Sequence, residues 1–269
     1  MYVEVEKDVH IYVEDINPGP GSQTVFFIHG WPLSHAMFEY QYNVLPMHGY
    51  RCIAMDMRGF GQSDKPWHGY TYDRLADDAA AVISALQVQD ATLVGFSMGG
   101  AVSIRYMARH KAKGIKKLVL IDAVAPALIQ GPDAPDALPQ AAFDALLKPL
   151  LTNRPKFFND VSLMFFNRNL GPAMQQWFVG MGMQSASYAS INLLLGSTQD
   201  NVSKDLAAIK VPTAIFHGIH DELIPFKSAQ LVHEKIHGSE LIPMANSGHG
   251  APICESEAFN VKLLEVLKR

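Results

Sequence analysis

The sequence predicts an α/β fold: a mostly parallel sheet of about eight strands, with helices on both faces and one helical insertion. Three observations predict it. Short continuous apolar runs bounded by turn residues recur along the chain, and such runs suit strands covered on both faces. Stretches with helical spacing of apolar residues alternate with several of these runs, which implies right-handed crossovers between parallel strands. One long region breaks the alternation with no convincing strand.

Taken in order, "MYVEVEKDVHIYVED" alternates apolar and charged residues and predicts two strands in an antiparallel edge hairpin, half solvated. "NPGPGS" is a turn. The apolar runs follow: "TVFFIHG", "YRCIAMD", "ATLVGFS", "KKLVLID", "VPTAIFHG" and "SELIPM". Residues 73–87 have helical spacing and an acidic first turn, which suits the helix dipole. Residues 98–110 and 227–237 are similar, the second closed by Gly238. The last helix ends "FNVKLLEVLKR" with basic residues at its end. From Ala123 to Gln199 the pattern changes. "APALIQGPDAPDALP" has four prolines, which discourage a continuous helix. Helical, aromatic segments follow: "PKFFNDVSLMFFNRN", "PAMQQWFVGMGM" and "ASYASINLLLG". This stretch is too long for a connecting loop. We therefore expect residues 1–122 and 200–269 to form the core and 123–199 a helical cap.

With 269 residues, 48% of them hydrophobic, one large domain with an insertion is expected. The net charge of −4 provides no basic field for nucleic acid or an anionic membrane. The two cysteines, Cys52 and Cys254, form neither a disulfide framework nor a CxxC metal pattern. No apolar run of about 18 residues exists, and the N-terminus lacks signal-peptide regions. A cytoplasmic protein, with no partner beyond a small molecule or further copies of itself, is the expectation.

The chemistry centres on "LVGFSMGGAV", Leu93 to Val102. A G-x-S-x-G motif between a strand and a helix places its serine on a strained turn, with Oγ at the carboxyl edge of the sheet. The glycines have a steric reason, since a Cβ two residues either side of Ser97 would clash where strand and helix approach. A serine nucleophile needs a base, and the base an orienting acid. In such a fold the chain order is Ser, acid, His. Of eleven histidines only His233, His237 and His249 come well after a plausible acid. The first two lie in a helix predicted at the surface, whereas His249 follows the last strand in "MANSGHGAP". Asp221 in "GIHDELIPF" is the favoured acid, and Asp122, ending "KKLVLID", is its best rival. His220 is expected to be a local hydrogen-bonding residue.

The oxyanion needs two preorganised donors. One should be the Met98 N–H, directly after the nucleophile; the other should come from "HGWP", where the Trp31 N–H is the natural candidate because Pro32 has none. His29 precedes Ser97 and is expected to be structural. In "MDMRGFGQSD" the third glycine of a nucleotide loop is missing, so Asp56, Arg58 and Ser63 are expected to be structural too.

With these residues in place the chain resembles the α/β-hydrolases. "HGWPLS", "DMRGFGQSDKPWHGYTYD", "GFSMGG", "GIHDELIPF" and "SGHG" occur in that family's order, over nearly the whole chain. The middle motif and the "HGWP" loop look most like the cofactor-free haloperoxidase and arylesterase branch. The resemblance implies an α/β-hydrolase fold, a Ser97–Asp221–His249 triad, an oxyanion hole of the Trp31 and Met98 amides, and neither metal nor cofactor. It implies hydrolysis of small carboxylic esters. It also implies perhydrolysis, since a proline after the oxyanion-hole tryptophan goes with that activity in the family, and Pro32 stands there. A lactonase, a carbon–carbon bond hydrolase and a slow-turnover receptor share the same triad. Val124, Leu223 and Phe165 are the expected substrate contacts. Among the cap aromatics and methionines (Phe157, Phe158, Met164, Phe166, Met174, Trp177, Phe178, Met181, Met183) about a third are expected to line a pocket, the rest packing the cap.

Overall fold

The sheet has eight strands in the order β1-β2-β4-β3-β5-β6-β7-β8. The strands are β1 (Tyr2–Glu6), β2 (Val9–Ile16), β3 (Gln23–Ile28), β4 (Tyr50–Met55), β5 (Ala91–Phe96), β6 (Ile115–Ile121), β7 (Thr213–Gly218) and β8 (Glu240–Met244). This computed structural model describes residues 1–17, 19–167 and 169–269. β1 and β2 form the antiparallel edge, β2 joins β4 antiparallel, and all other pairings are parallel.

Burial on both faces explains the continuous apolar runs. Along β3, Phe26 and Ile28 join one cluster, with Leu75, Val82 and Val102, while Val25 and Phe27 join the other, with Phe259 and Leu263. Eleven α-helical segments are present among the described residues. They are α1 (Glu39–Tyr42), α2 (Tyr72–Ala85), α3 (Met98–Arg109), α4 (Gln140–Thr152), α5 (Arg154–Phe166), α6 (Pro172–Gln184), α7 (Ser187–Ser197), α8 (Ser203–Leu206), α9 (Phe226–Lys235), α10 (Ala251–Cys254) and α11 (Ser256–Lys268). Among them none is long and apolar enough to cross a membrane.

Between β6 and β7 the named elements are all helices, α4 to α8. Helix α4 departs from the sequence expectation, which named no helix over "QAAFDALLKPLLT". Pro139 sits just before it as N-cap and Pro149 in its last turn, so neither proline breaks the middle. The prolines of residues 125–139 do keep that segment free of helix.

The loop after β4 is structural. Asp56 is buried and accepts the His35 and Gln62 N–H groups at 2.7 and 2.8 Å. Ser63 Oγ donates to Asp56 O at 2.6 Å. Arg58 is fully buried, bonding Asp78 of α2 through Nε and Nη2 at 2.6 and 2.8 Å and Glu6 of β1 at 3.1 Å. Removing one partner of such a buried pair costs about 3–5 kcal/mol, because the other charge is left uncompensated.

Candidate active site

Ser97 joins β5 to α3 with φ 52° and ψ −119°, a backbone region that L-residues avoid. Surrounding amides hold it there. Its carbonyl accepts N–H bonds from Gly100 at 2.9 Å and Val124 at 3.0 Å, and its own N–H donates to Ile121 O at 2.9 Å. The flanking glycines are required by contact. A Cβ on Gly95 would sit 2.3 Å from Ser103 Oγ and 2.5 Å from Gly99 O, and one on Gly99 would sit 2.2 Å from Ile28 O. The sharp turn thus depends on both glycines, and it leaves Ser97 buried at the carboxyl edge of the sheet, at the wall of the cavity described below.

The turn brings Ser97 to the two other predicted partners. His249 Nε2 lies 2.8 Å from Ser97 Oγ, and His249 Nδ1 lies 2.7 Å from Asp221 Oδ2. An ionised carboxylate only accepts, so Nδ1 carries the ring proton and Nε2 is left to accept from the Ser97 hydroxyl. Asp221 Oδ1 accepts the Leu223 and Ile224 N–H groups, both at 2.8 Å. Burial works to raise the Asp221 carboxyl, but His249 and His217 outweigh it and hold it below the usual carboxylate range. Asp221 thus stays ionised, ready to stabilise a protonated His249. Helix α5 helps to place His249, whose backbone N–H donates to Phe165 O at 2.8 Å.

The rival acid, Asp122, ends β6 but bonds elsewhere, to the Gly218 and Ala251 N–H groups. His233 and His237 are exposed on and just beyond α9. The backbone of His220 joins segments distant in the chain rather than bonding to its sequence neighbours, its N–H donating to Ser247 O and its carbonyl accepting from the Asn167 side-chain amide. His29 is buried, with Nδ1 at 2.9 Å from Gly30 O and Nε2 accepting the Met57 N–H at 2.9 Å. Burial lowers its pKa, so it is a neutral brace for the loop that carries Trp31.

The amides of Trp31 and Met98 have no protein acceptor among the described residues. Met98 is the first residue of α3, so its N–H also carries the positive end of a helix dipole. The Trp31 indole is fixed by α7 and α5, with Nε1 donating to Ser190 O at 3.0 Å and the ring edge-on to Phe157 and Phe158. The Trp31–Pro32 peptide is cis.

A cavity of about 190 Å³ opens onto Ser97, His249, Trp31 and Met98. The three expected substrate contacts, Val124, Leu223 and Phe165, all line it, as do Phe157 and Met164 from α5. Phe158, Phe166, Phe178 and Met181 pack into the core instead. The sequence reading missed the wall supplied by α4, where Phe143, Leu146 and Leu147 face the cavity. Their spacing, continued by Leu150, is the apolar i, i+3, i+4, i+7 signal of a helix face. Glu222 is the one lysine-, arginine- or carboxylate-type side chain among the lining residues described.

Set beside known proteins, the chain is 45% identical over 259 residues to the AB hydrolase superfamily protein YisY of Bacillus subtilis (strain 168), covering 96% of each. It is 34% identical, over an alignment of 275 residues and 99% of each chain, to a bifunctional esterase/perhydrolase, DCH, of Acinetobacter calcoaceticus. The solved structure of an esterase from Exiguobacterium antarcticum (EaEST) superposes with a TM-score of 0.96 at 36% identity, over 100% of this chain and 99% of that one. The alpha/beta hydrolase fold family model matches residues 23–255, which span the elbow, both candidate acids and the base. A parallel sheet with a serine elbow after β5, read together with that match, makes the chain a member of the α/β-hydrolase fold family.

Proposed function

We propose that the protein hydrolyses small, uncharged carboxylic esters through an acyl-enzyme on Ser97. The observation that carries this reading is the continuous hydrogen-bonded line Ser97–His249–Asp221 at the floor of an apolar cavity. His249 Nε2 takes the Ser97 proton as Oγ attacks the ester carbonyl. The oxyanion forms between the Trp31 and Met98 amides, where fixed donors favour the charge only once it has developed. His249 then gives the proton to the departing alcohol. Water, deprotonated by the same nitrogen, attacks the acyl-enzyme, and the carboxylic acid leaves. Ionised Asp221 stabilises the imidazolium at both stages.

The cavity supports an apolar acyl group of modest size, since ligand sites for drug-sized molecules are usually about 300–1,000 Å³. The exposed carboxylate of Glu222 at this apolar site disfavours anionic substrates. Pro32, directly after Trp31, supports a second reaction of the same acyl-enzyme. Hydrogen peroxide replaces water as the attacking group, and the product is a peracid. Two buried cysteine thiols fit a cytoplasmic setting. The test is hydrolysis of p-nitrophenyl acetate by wild type and Ser97→Ala. The account expects the variant to fold and to lose roughly 10⁶ in kcat, as in the subtilisin case. A folded Ser97→Ala that keeps its rate would remove Ser97 from the mechanism.

A further inference from the structure

Asp122 is fully buried at the end of β6, with φ 46°, in the left-handed region. Its two carboxylate oxygens do different work. Oδ1 accepts the Gly218 N–H at 2.8 Å, and Oδ2 accepts the Ala251 N–H at 3.3 Å. Gly218 ends β7, three residues before Asp221; Ala251 begins α10, two residues after His249. One side chain therefore ties the turn that carries the acid to the loop that carries the base. The two segments are already in close contact there, since a Cβ on Gly218 would sit 2.0 Å from Gly248 O. His217 stands beside this tie. Its Nε2 is 2.7 Å from Ile224 O and 3.4 Å from Asp221 Oδ2, while its Nδ1 is 4.0 Å from Asp122 Oδ1.

We propose that Asp122 is a positioning residue: its carboxylate, with His217 beside it, holds the Asp221 turn and the His249 loop at the separation their hydrogen bond needs. The proposal rests on the reading of Ser97, His249 and Asp221 as the reacting set. Packing alone does not require an acid here, because a buried ionisable group is costly to desolvate and an apolar side chain fills such a space more cheaply. The strained backbone at Asp122 points the same way, as such outliers gather at functional sites.

The charged and titratable groups facing Asp122 are His217 on β7, Asp221 in the turn after it and His249 after β8. Burial pushes the Asp122 carboxyl up to about 6; His217 opposes the rise and Asp221 adds to it. Above that pH both oxygens accept as a carboxylate. Below it one oxygen carries a proton, and the arm it makes weakens. The acid limb of activity then contains the Asp122 proton as well as that of the base.

The experiment compares wild type, Asp122→Asn and Ser97→Ala. It measures kcat and KM for p-nitrophenyl acetate from about pH 5 to 8, the rate at which diisopropyl fluorophosphate phosphorylates Ser97 with loss of fluoride, and the melting temperature. In Asp122→Asn the new amide nitrogen faces an N–H with no acceptor. We expect kcat to fall about 10- to 100-fold, the scale of a small misplacement of a reacting group. KM should stay nearly constant, phosphorylation by the fluorophosphate should slow in parallel, and the acid limb should lose one proton of steepness. Unchanged kcat, phosphorylation rate and acid limb in a folded variant would overturn the proposal. If Asp122→Asn does not fold, Ala251→Pro removes the donor of one arm at the first position of α10, where the helix itself does not need the N–H, and its melting temperature reports the effect of the added ring at this buried position. A smaller loss in the same direction is expected, and none would count against the brace. If wild type hydrolyses no ester while Ser97 is still phosphorylated, the proposed reaction fails, yet the phosphorylation rates still decide the role of Asp122.

Discussion

Ser97 keeps an unfavourable backbone because its carbonyl accepts amides from α3 and from Val124, in the segment after β6. That makes the elbow sensitive to a single methyl. In Gly99→Ala the new Cβ would meet two backbone carbonyls, Ile28 O at 2.2 Å and His29 O at 2.4 Å, and neither is a flexible side-chain end. The elbow must move, and we expect about a 10²-fold loss of kcat with secondary structure intact by circular dichroism. The two acids separate by what they touch. Asp221→Asn removes the acceptor of the His249 Nδ1 proton and should cost about 10⁴ in kcat, as an acid-to-amide change does in serine proteases. Asp122→Asn should cost far less, and the reverse ranking would move the triad acid to β6. At Pro32 the prediction concerns partitioning. Wild type should form peracetic acid from acetate and hydrogen peroxide without added metal, and Pro32→Leu should lower that rate relative to ester hydrolysis. No detectable peracid from wild type would leave a plain hydrolase.

At the scale of the element, α4 decides how much acyl group fits. Leu146 and Leu147 stand on one turn of it, at the cavity wall. Leu147→Trp should reduce kcat/KM for hexanoate and longer p-nitrophenyl esters while leaving acetate nearly unchanged. Equal loss on all chain lengths would place the acyl group elsewhere. This helix was hidden in the sequence by the prolines at its two ends, although the apolar spacing of its middle was present. The strand-to-helix alternation was legible because it is written in local periodicity. So was the structural nature of the loop after β4, whose missing glycine excluded a phosphate cradle. The bonds of Arg58 to Asp78 and Glu6 were not legible, since they join three elements distant in the chain.

Across the whole molecule the site is assembled where the ends of β5, β6, β7 and β8 meet helices α4 and α5. The order Ser, acid, His could be read along the chain. The choice between Asp221 and Asp122 depended on which strand end approaches His249, and that is a property of sheet order. The tie from Asp122 to Ala251 spans 129 residues, and nothing local announces it. These two buried acids also give stability opposite pH dependences. Asp221 lies below its ordinary value, so its contribution is present above about pH 4 and is lost only in stronger acid. Asp122 lies above its ordinary value, so its contribution is complete below about pH 4 and is lost as pH rises through about 6. Melting temperatures should therefore fall less between those pH values in Asp122→Asn than in wild type, and parallel curves would refute the assignment.

During turnover Ser97 should carry the acyl group. Rapid acid quenching of wild type in the presence of p-nitrophenyl acetate, followed by peptide mass spectrometry, reads its position. One added acetyl group is expected on the peptide containing Ser97, absent in Ser97→Ala. An acetyl group on another residue, or turnover with the Ser97 peptide unmodified, would contradict it.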